Sequence, residues 1–191
     1  MSLRGISLTP IPDVFLSPDS LETEPMVSYE QGGIALNDAT QGLLVQPWRC
    51  YLSGADVVIA AGLTGGTPAV QFTPSGVVTS LSLAFDSNMR PSIAYVEDGV
   101  VKLRWFDTVP GTTVTTTFAG ATQCRCGTDE KRDGLAGLTD VILAYVMAGT
   151  LYWREQRDRF LVEYEVGAMP TGTSLLHIGK NIGNRFQFKV G

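Results

Sequence analysis

Two stretches of this chain echo one another. Ile93-Ala94-Tyr95-Val96 leads to a glycine at Gly99, and Leu143-Ala144-Tyr145-Val146 leads to a glycine at Gly149, 50 positions on. After each glycine comes a β-rich run that ends near a tryptophan, Trp105 in the first copy and Trp153 in the second. Strand chemistry recurring every ~40–50 residues is how stacked sheet units such as propeller blades look in sequence. A chain with this echo has to bury one β unit against the next. No amphipathic helix pattern competes with it anywhere along the chain.

Local patterns say how each unit is built. Leu81, Leu83 and Phe85 alternate with Ser80, Ser82 and Ala84, the period of two expected of a half-buried strand. Asp86 to Pro91 turns the chain and Ser92 to Val96 makes the next strand. Asp98-Gly99 between apolar segments is a hairpin signal, because the tight turn needs positive φ at both central positions. Val101, Leu103 and Trp105 then alternate with Lys102 and Arg104, which predicts an apolar face on a core and a basic face in water. Thr112 to Phe118 is a β-branched run that supplies a fourth strand. Residues 124–140 read as a loop holding the densest mixed charge of the chain. Val141 to Met147, an Ala148-Gly149 turn and Thr150 to Arg154 repeat the hairpin. Phe160, Val162, Tyr164 and Val166 share one face of a further strand, and Phe186, Phe188 and Val190 point inward in the last one.

Upstream, Val57 to Ala61 is a continuous apolar run of strand length, expected to be buried on both faces. Residues 62–76 form a glycine-rich connector. It lacks the Lys-Ser/Thr that reaches phosphates, and no helix pattern follows it, so it reads as a structural turn. Residues 1–26 read as an extended arm, punctuated by Pro10, Pro12, Pro18 and Pro25. Ile11, Val14, Phe15 and Leu16 are apolar without period, which suits a segment that docks in a groove, on its own body or on a neighbour. The expectation is an all-β chain of antiparallel blade-like sheets, propeller-like or a sandwich, with an extended N-terminal arm. The single domain spans 27–191 and carries at least two repeats, about 80–119 and 138–166, with a degenerate third in 27–60. A closed propeller needs about four to eight blades. One chain of 191 residues does not supply them comfortably, so either several copies close a ring or the sheets stack as a sandwich.

Composition narrows the function classes. Charged residues make up 17%, below the usual quarter, which raises the prior for surface covered by neighbours. Residues 1–100 hold only Arg4, Arg49 and Arg90 against ten acids, and the remainder holds eleven basic residues against nine acids. No basic patch suited to nucleic acid emerges from this distribution. The two unlike halves are suited to pairing between copies. Three cysteines, Cys50, Cys124 and Cys126, make no disulfide framework and, with a lone His177, no closed zinc site. They read as buried thiols in a reducing compartment. No charged start precedes an apolar core in the first twenty residues, and no apolar run approaches the length of a membrane span. Assembly in a cytoplasm is the expectation.

Catalytic constellations are weak. His177 sits in Leu175-Leu176-His177-Ile178 and reads as a packed strand residue. Asp129, Glu130 and Asp133 are acids in one loop, but Lys131 and Arg132 lie among them, so charge pairing explains the cluster without a glycosidase pair. Arg154, Arg157, Asp158 and Arg159 form a second charge knot, suited to inter-strand or inter-subunit pairing with the Asp129, Glu130, Lys131, Arg132, Asp133 loop. Tyr95, Trp105, Tyr145, Tyr152 and Trp153 suit either a sugar-stacking platform or core packing, and their repeat-related positions favour core. No catalytic residue, cofactor or metal is expected.

Several signatures stand in a fixed order: Asp38-Ala39-Thr40-Gln41-Gly42-Leu43 up to Pro47-Trp48, Ala84 to Pro91, Trp105-Phe106-Asp107-Thr108, Asp129-Glu130-Lys131-Arg132, and Gln156 to Phe160. Together they resemble a family of small structural proteins encoded among the tail or receptor-binding genes of tailed bacteriophages. The family pattern has Asp-Asp-Lys-Arg where this chain has Asp129-Glu130-Lys131-Arg132. The resemblance implies a virion tail location and no reaction. The expected function is a non-enzymatic tail adaptor or hub, homo-oligomeric, that anchors fibres or receptor-binding proteins. The alternative is a tail module that recognises host-surface glycan, and behind it a glycan-cleaving tail enzyme.

Overall fold

The computed structural model describes residues 28–32, 46–61, 66–86, 88, 90–129, 140–180 and 186–191. They are all-β, with one 3-10 turn at Gln156–Asp158. Three four-stranded antiparallel meanders follow one another along the chain. The first holds β1 (Ser28–Gly32), β2 (Gln46–Ser53), β3 (Asp56–Ala61) and β4 (Ala69–Phe72). The second holds β5 (Val78–Phe85), β6 (Pro91–Glu97), β7 (Val100–Asp107) and β8 (Thr112–Phe118). The third holds β9 (Ala121–Asp129), β10 (Asp140–Met147), β11 (Thr150–Glu155) and β12 (Tyr164–Ala168). A hairpin of β13 (Leu175–Lys180) and β14 (Phe186–Val190) ends the described chain. None of these sheets closes on itself.

The opening strands stack in sequence: β1 lies on β5, β5 on β9 and β9 on β13. Between the first two sheets, Cys50, Val57 and Ile59 meet Leu81, Leu83, Phe85, Ile93 and Tyr95. Between the second and third, Ala94, Val96, Val101, Leu103 and Trp105 meet Cys124, Cys126, Leu143 and Tyr145. Ala144, Val146 and Leu151 then meet Leu175 and Ile178 of the hairpin. The echo in the sequence is thus a translation by one sheet. Tyr95 faces back to the first sheet and Tyr145 back to the second, while Ala94-Val96 and Ala144-Val146 face forward. Both copies turn identically: Asp98 and Ala148 have φ 49°, and Gly99 and Gly149 have φ 77°. Two consecutive positive φ angles make the turn whose twist matches the flanking strands.

Several expectations change. The run 124–140 is not a loop at its start, because β9 extends to Asp129, with Cys124 and Cys126 buried and Gln123 and Arg125 less so. The second repeat therefore begins at Ala121. The connector 62–76 contains β4, which pairs with β3. The serine face of β5 is not in water. Ser82 is buried, and its small side chain lets β9 approach until the Cys126 N–H donates to Ser82 Oγ at 2.9 Å. Phe160 belongs to a turn at φ 59°, not to a strand; β12 starts at Tyr164, and Val162, Tyr164 and Val166 are exposed. His177 is exposed as well, because a register shift between Leu175 and His177 leaves Leu176 and His177 both outward. The apolar run of β3 is buried from Val57 to Ala60, as its composition requires.

Candidate functional site

Three polar constructions stand out at the seams between sheets. The first fastens the link between the first and second meanders. Glu97 is buried and accepts the Gly76 N–H at 2.7 Å, the Ser75 hydroxyl at 3.1 Å and a Lys102 ammonium proton. Asp98 accepts the Val77 N–H at 2.9 Å and donates its own N–H to the Val77 carbonyl. The Lys102 ammonium, with the Gly76 and Ser75 donors, holds the Glu97 carboxyl down at about 2.

The second construction carries the Gln156 to Phe160 signature. Arg159 forks onto buried Asp107, with Nη2 at 2.5 Å, and ties the third sheet to the second. That guanidinium keeps the Asp107 carboxyl below the usual range. Arg157 pairs with Glu155 at 2.9 Å. Both Asp158 oxygens are buried without a hydrogen-bond partner among the described residues. Beside them, Arg154 Nε donates to the Tyr145 hydroxyl at 2.8 Å and its Nη2 meets Glu163 at 2.9 Å. The Tyr145 hydroxyl donates to Glu163. Burial pushes the Tyr145 hydroxyl up to about 12, and its proton in turn keeps Glu163 below the usual carboxylate range. Of the loop expected to pair with this knot, only the Asp129 backbone is described, opposite Asp140. Glu130, Lys131 and Arg132 lie outside the described residues, as do the arm residues Ile11, Val14, Phe15 and Leu16.

The third construction was not legible as a site. An open cleft of about 220 Å³ lies between the first two sheets, lined by Gln71, Arg90, Pro91, Ile93, Arg104, Phe106 and Thr113. Arg90 is held by buried Asp86, which takes its Nε at 2.7 Å and its backbone N–H at 3.0 Å. The Arg90 guanidinium lies 4.3 Å from the Phe106 ring centre, and that of Arg104 lies 5.2 Å from the Phe72 ring centre. The basic face expected in water at Lys102 and Arg104 therefore turns into a seam. One sequence signal did point here: Arg90 is one of three basic residues in the first hundred.

Tyr95, Trp105 and Tyr145 are buried; partly buried Tyr152 packs on the core between the second and third sheets, and partly buried Trp153 on the core between the third sheet and the hairpin, so the five are spread over three cores and form no single platform. The described residues hold no group of three His, Cys, Asp or Glu side chains placed to share a metal ion. No described helix is long and apolar enough to cross a membrane. The outer strands are the exposed ones. On β12 and the turn before it, Leu161, Val162, Tyr164 and Val166 are all open to solvent. No protein-family model matches the chain, and no curated protein matches it either.

Proposed function

We propose that the chain is a non-enzymatic structural component of a bacteriophage virion, a tail adaptor or hub whose copies associate and anchor fibres or receptor-binding proteins. One observation carries the assembly part: the meanders stack through their opening strands, β1 on β5 on β9 on β13, in the manner of consecutive propeller blades. The described stack has a four-stranded sheet at one end and a two-stranded hairpin at the other. In the proposed assembly the stack is one arc of a ring, and sister copies joined end to end close it. Closure also covers sheet edges that otherwise template aggregation. The exposed apolar run at Leu161, Val162, Tyr164 and Val166 suits a contact with a fellow virion protein. The ordered motifs from Asp38 to Phe160 support the tail context, with assembly in the host cytoplasm.

Native mass spectrometry and light scattering of the full chain test this reading. The expected result is one discrete oligomer across a wide concentration range. It should also be recovered as a complex when co-expressed with the products of neighbouring tail genes. A stable monomer at every concentration, with no such complex, overturns it.

A further inference from the structure

We propose that the cleft between the first two sheets binds the carboxylate of an acidic sugar, a hexuronate unit of a polysaccharide. The observations are independent of how copies assemble. Two guanidiniums converge on one cleft in a chain whose net charge is −5. Only Arg90 has a carboxylate within ion-pair distance among the described residues, and that partner, Asp86, engages Nε. Among the described residues the two terminal nitrogens of Arg90 carry no hydrogen bond, and no carboxylate lies within ion-pair distance of Arg104. The cleft therefore holds more positive charge than the described residues neutralise.

Both arginines are also held in place. Asp86 is 4% exposed and receives the backbone N–H groups of Asn88 and Arg90 besides the Arg90 side chain, so the guanidinium is aimed before any ligand arrives. The Arg90 guanidinium lies over the Phe106 ring and that of Arg104 over the Phe72 ring, contacts that favour these positions over free rotation. A planar guanidinium offers two parallel N–H groups to a carboxylate, and one already ordered loses little freedom on binding. An arginine needed only for solubility requires neither device.

The rest of the lining chooses between carboxylates. Pro91, Ile93 and Phe106 give apolar surface, and Gln71 and Thr113 give an amide and a hydroxyl. A pyranose presents that combination, apolar ring faces edged by hydroxyl groups. The volume of about 220 Å³ is below the roughly 300–1,000 Å³ of drug-sized sites and suits one ring. A glutamate side chain of a partner protein would use the arginines and leave the remainder of the lining idle.

Nuclear magnetic resonance titration of the full chain tests this with four probes: methyl glucuronide, methyl glucoside, acetate and N-acetyl-glutamate amide. Methyl glucuronide is expected to shift the amides of Gln71, Arg104 and Thr113 and to bind at least tenfold more tightly than the other three. Arg104→Met removes the guanidinium, leaves a thioether that is able to contact the Phe72 ring, and is expected to weaken glucuronide at least tenfold. Acetate binding as tightly as glucuronide overturns the sugar assignment, as does tighter binding of the glutamate probe. If Arg104→Met is unstable, the comparison of glucuronide with glucoside on the native chain decides alone. Equal binding of those two overturns the proposal.

Discussion

Replacing Glu97 by glutamine removes a charge from the junction on which two sheets are hung. The carboxyl falls from 4.5 to about 2 on folding. At about 1.36 kcal/mol for each step of one on that scale, the difference is somewhat over ~3 kcal/mol of stability at neutral pH. Lys102 is 26% exposed, so water screens part of this, and about 2 kcal/mol is the working figure. In the Glu97→Gln variant the side-chain amide oxygen still accepts the Gly76 N–H, which confines the loss to the ionic part. The folded value lies below the unfolded one, so the contribution is complete above pH ~4.5 and disappears as pH falls toward ~2. At pH 7 the variant is expected to melt roughly 4–8 °C below the parent, given ~2–4 °C for each kcal/mol at this chain length. The gap should be less than half as large at pH 3. Urea unfolding of both proteins at each pH measures it, and a carbon-detected titration of Glu97 reads the carboxyl directly. A gap that stays constant from pH 7 to pH 3, or a Glu97 carboxyl that titrates near 4.5, refutes this account of the junction.

Three further outcomes follow from other parts of the fold. Ala148 occupies a left-handed position beside Gly149 and is exposed, so Ala148→Asn, which suits that turn, should stabilise the chain by about 0.5–1 kcal/mol in denaturant unfolding. Tyr145→Phe leaves Arg154 and Glu163 without their shared hydroxyl and should cost about 1–3 kcal/mol in the same assay. Because burial raises the Tyr145 hydroxyl to about 12, the parent should lose more stability than the variant between pH ~10 and ~12, and a tyrosinate absorbance titration compared between the two follows the same group. Cys50, Cys124 and Cys126 are buried, and burial pushes the first two thiols up, Cys124 to about 12. All three should resist an aromatic disulfide reagent until the protein is unfolded, and rapid labelling of the native chain would contradict that packing.

The fold was largely legible because its information is local and repeated. Alternation in Val101-Leu103-Trp105, the Asp98-Gly99 turn and the copy at Ala148-Gly149 each specify a hairpin from neighbours in sequence. What stayed hidden depends on which sheet lies opposite. The small face of β5, Ser80, Ser82 and Ala84, has the composition of a solvated surface, yet Arg125 donates to Ser80 at 2.9 Å and Cys126 to Ser82 at the same distance. Small residues there do not mark water; they mark the close approach of β9. The alternation of Cys124 and Cys126 with Arg125 was likewise unreadable as a strand, because its burial comes from that approach and not from bulk. The same ambiguity concealed the cleft. Lys102 and Arg104 alternate with apolar residues on β7, and an alternating charge normally signals an exit from the core. On and beside the outer strand β12 neither face is covered, since Glu163 and Glu165 are exposed along with Val162, Tyr164 and Val166. On a second or third strand, with sheets on both faces, the polar positions have to enter a seam. There they either find a partner, as Lys102 finds Glu97, or stand without a counterion among the described residues, as at Arg104. In a stacked-sheet protein, a charged residue on an inner strand without a counterion is therefore the place to look for a ligand.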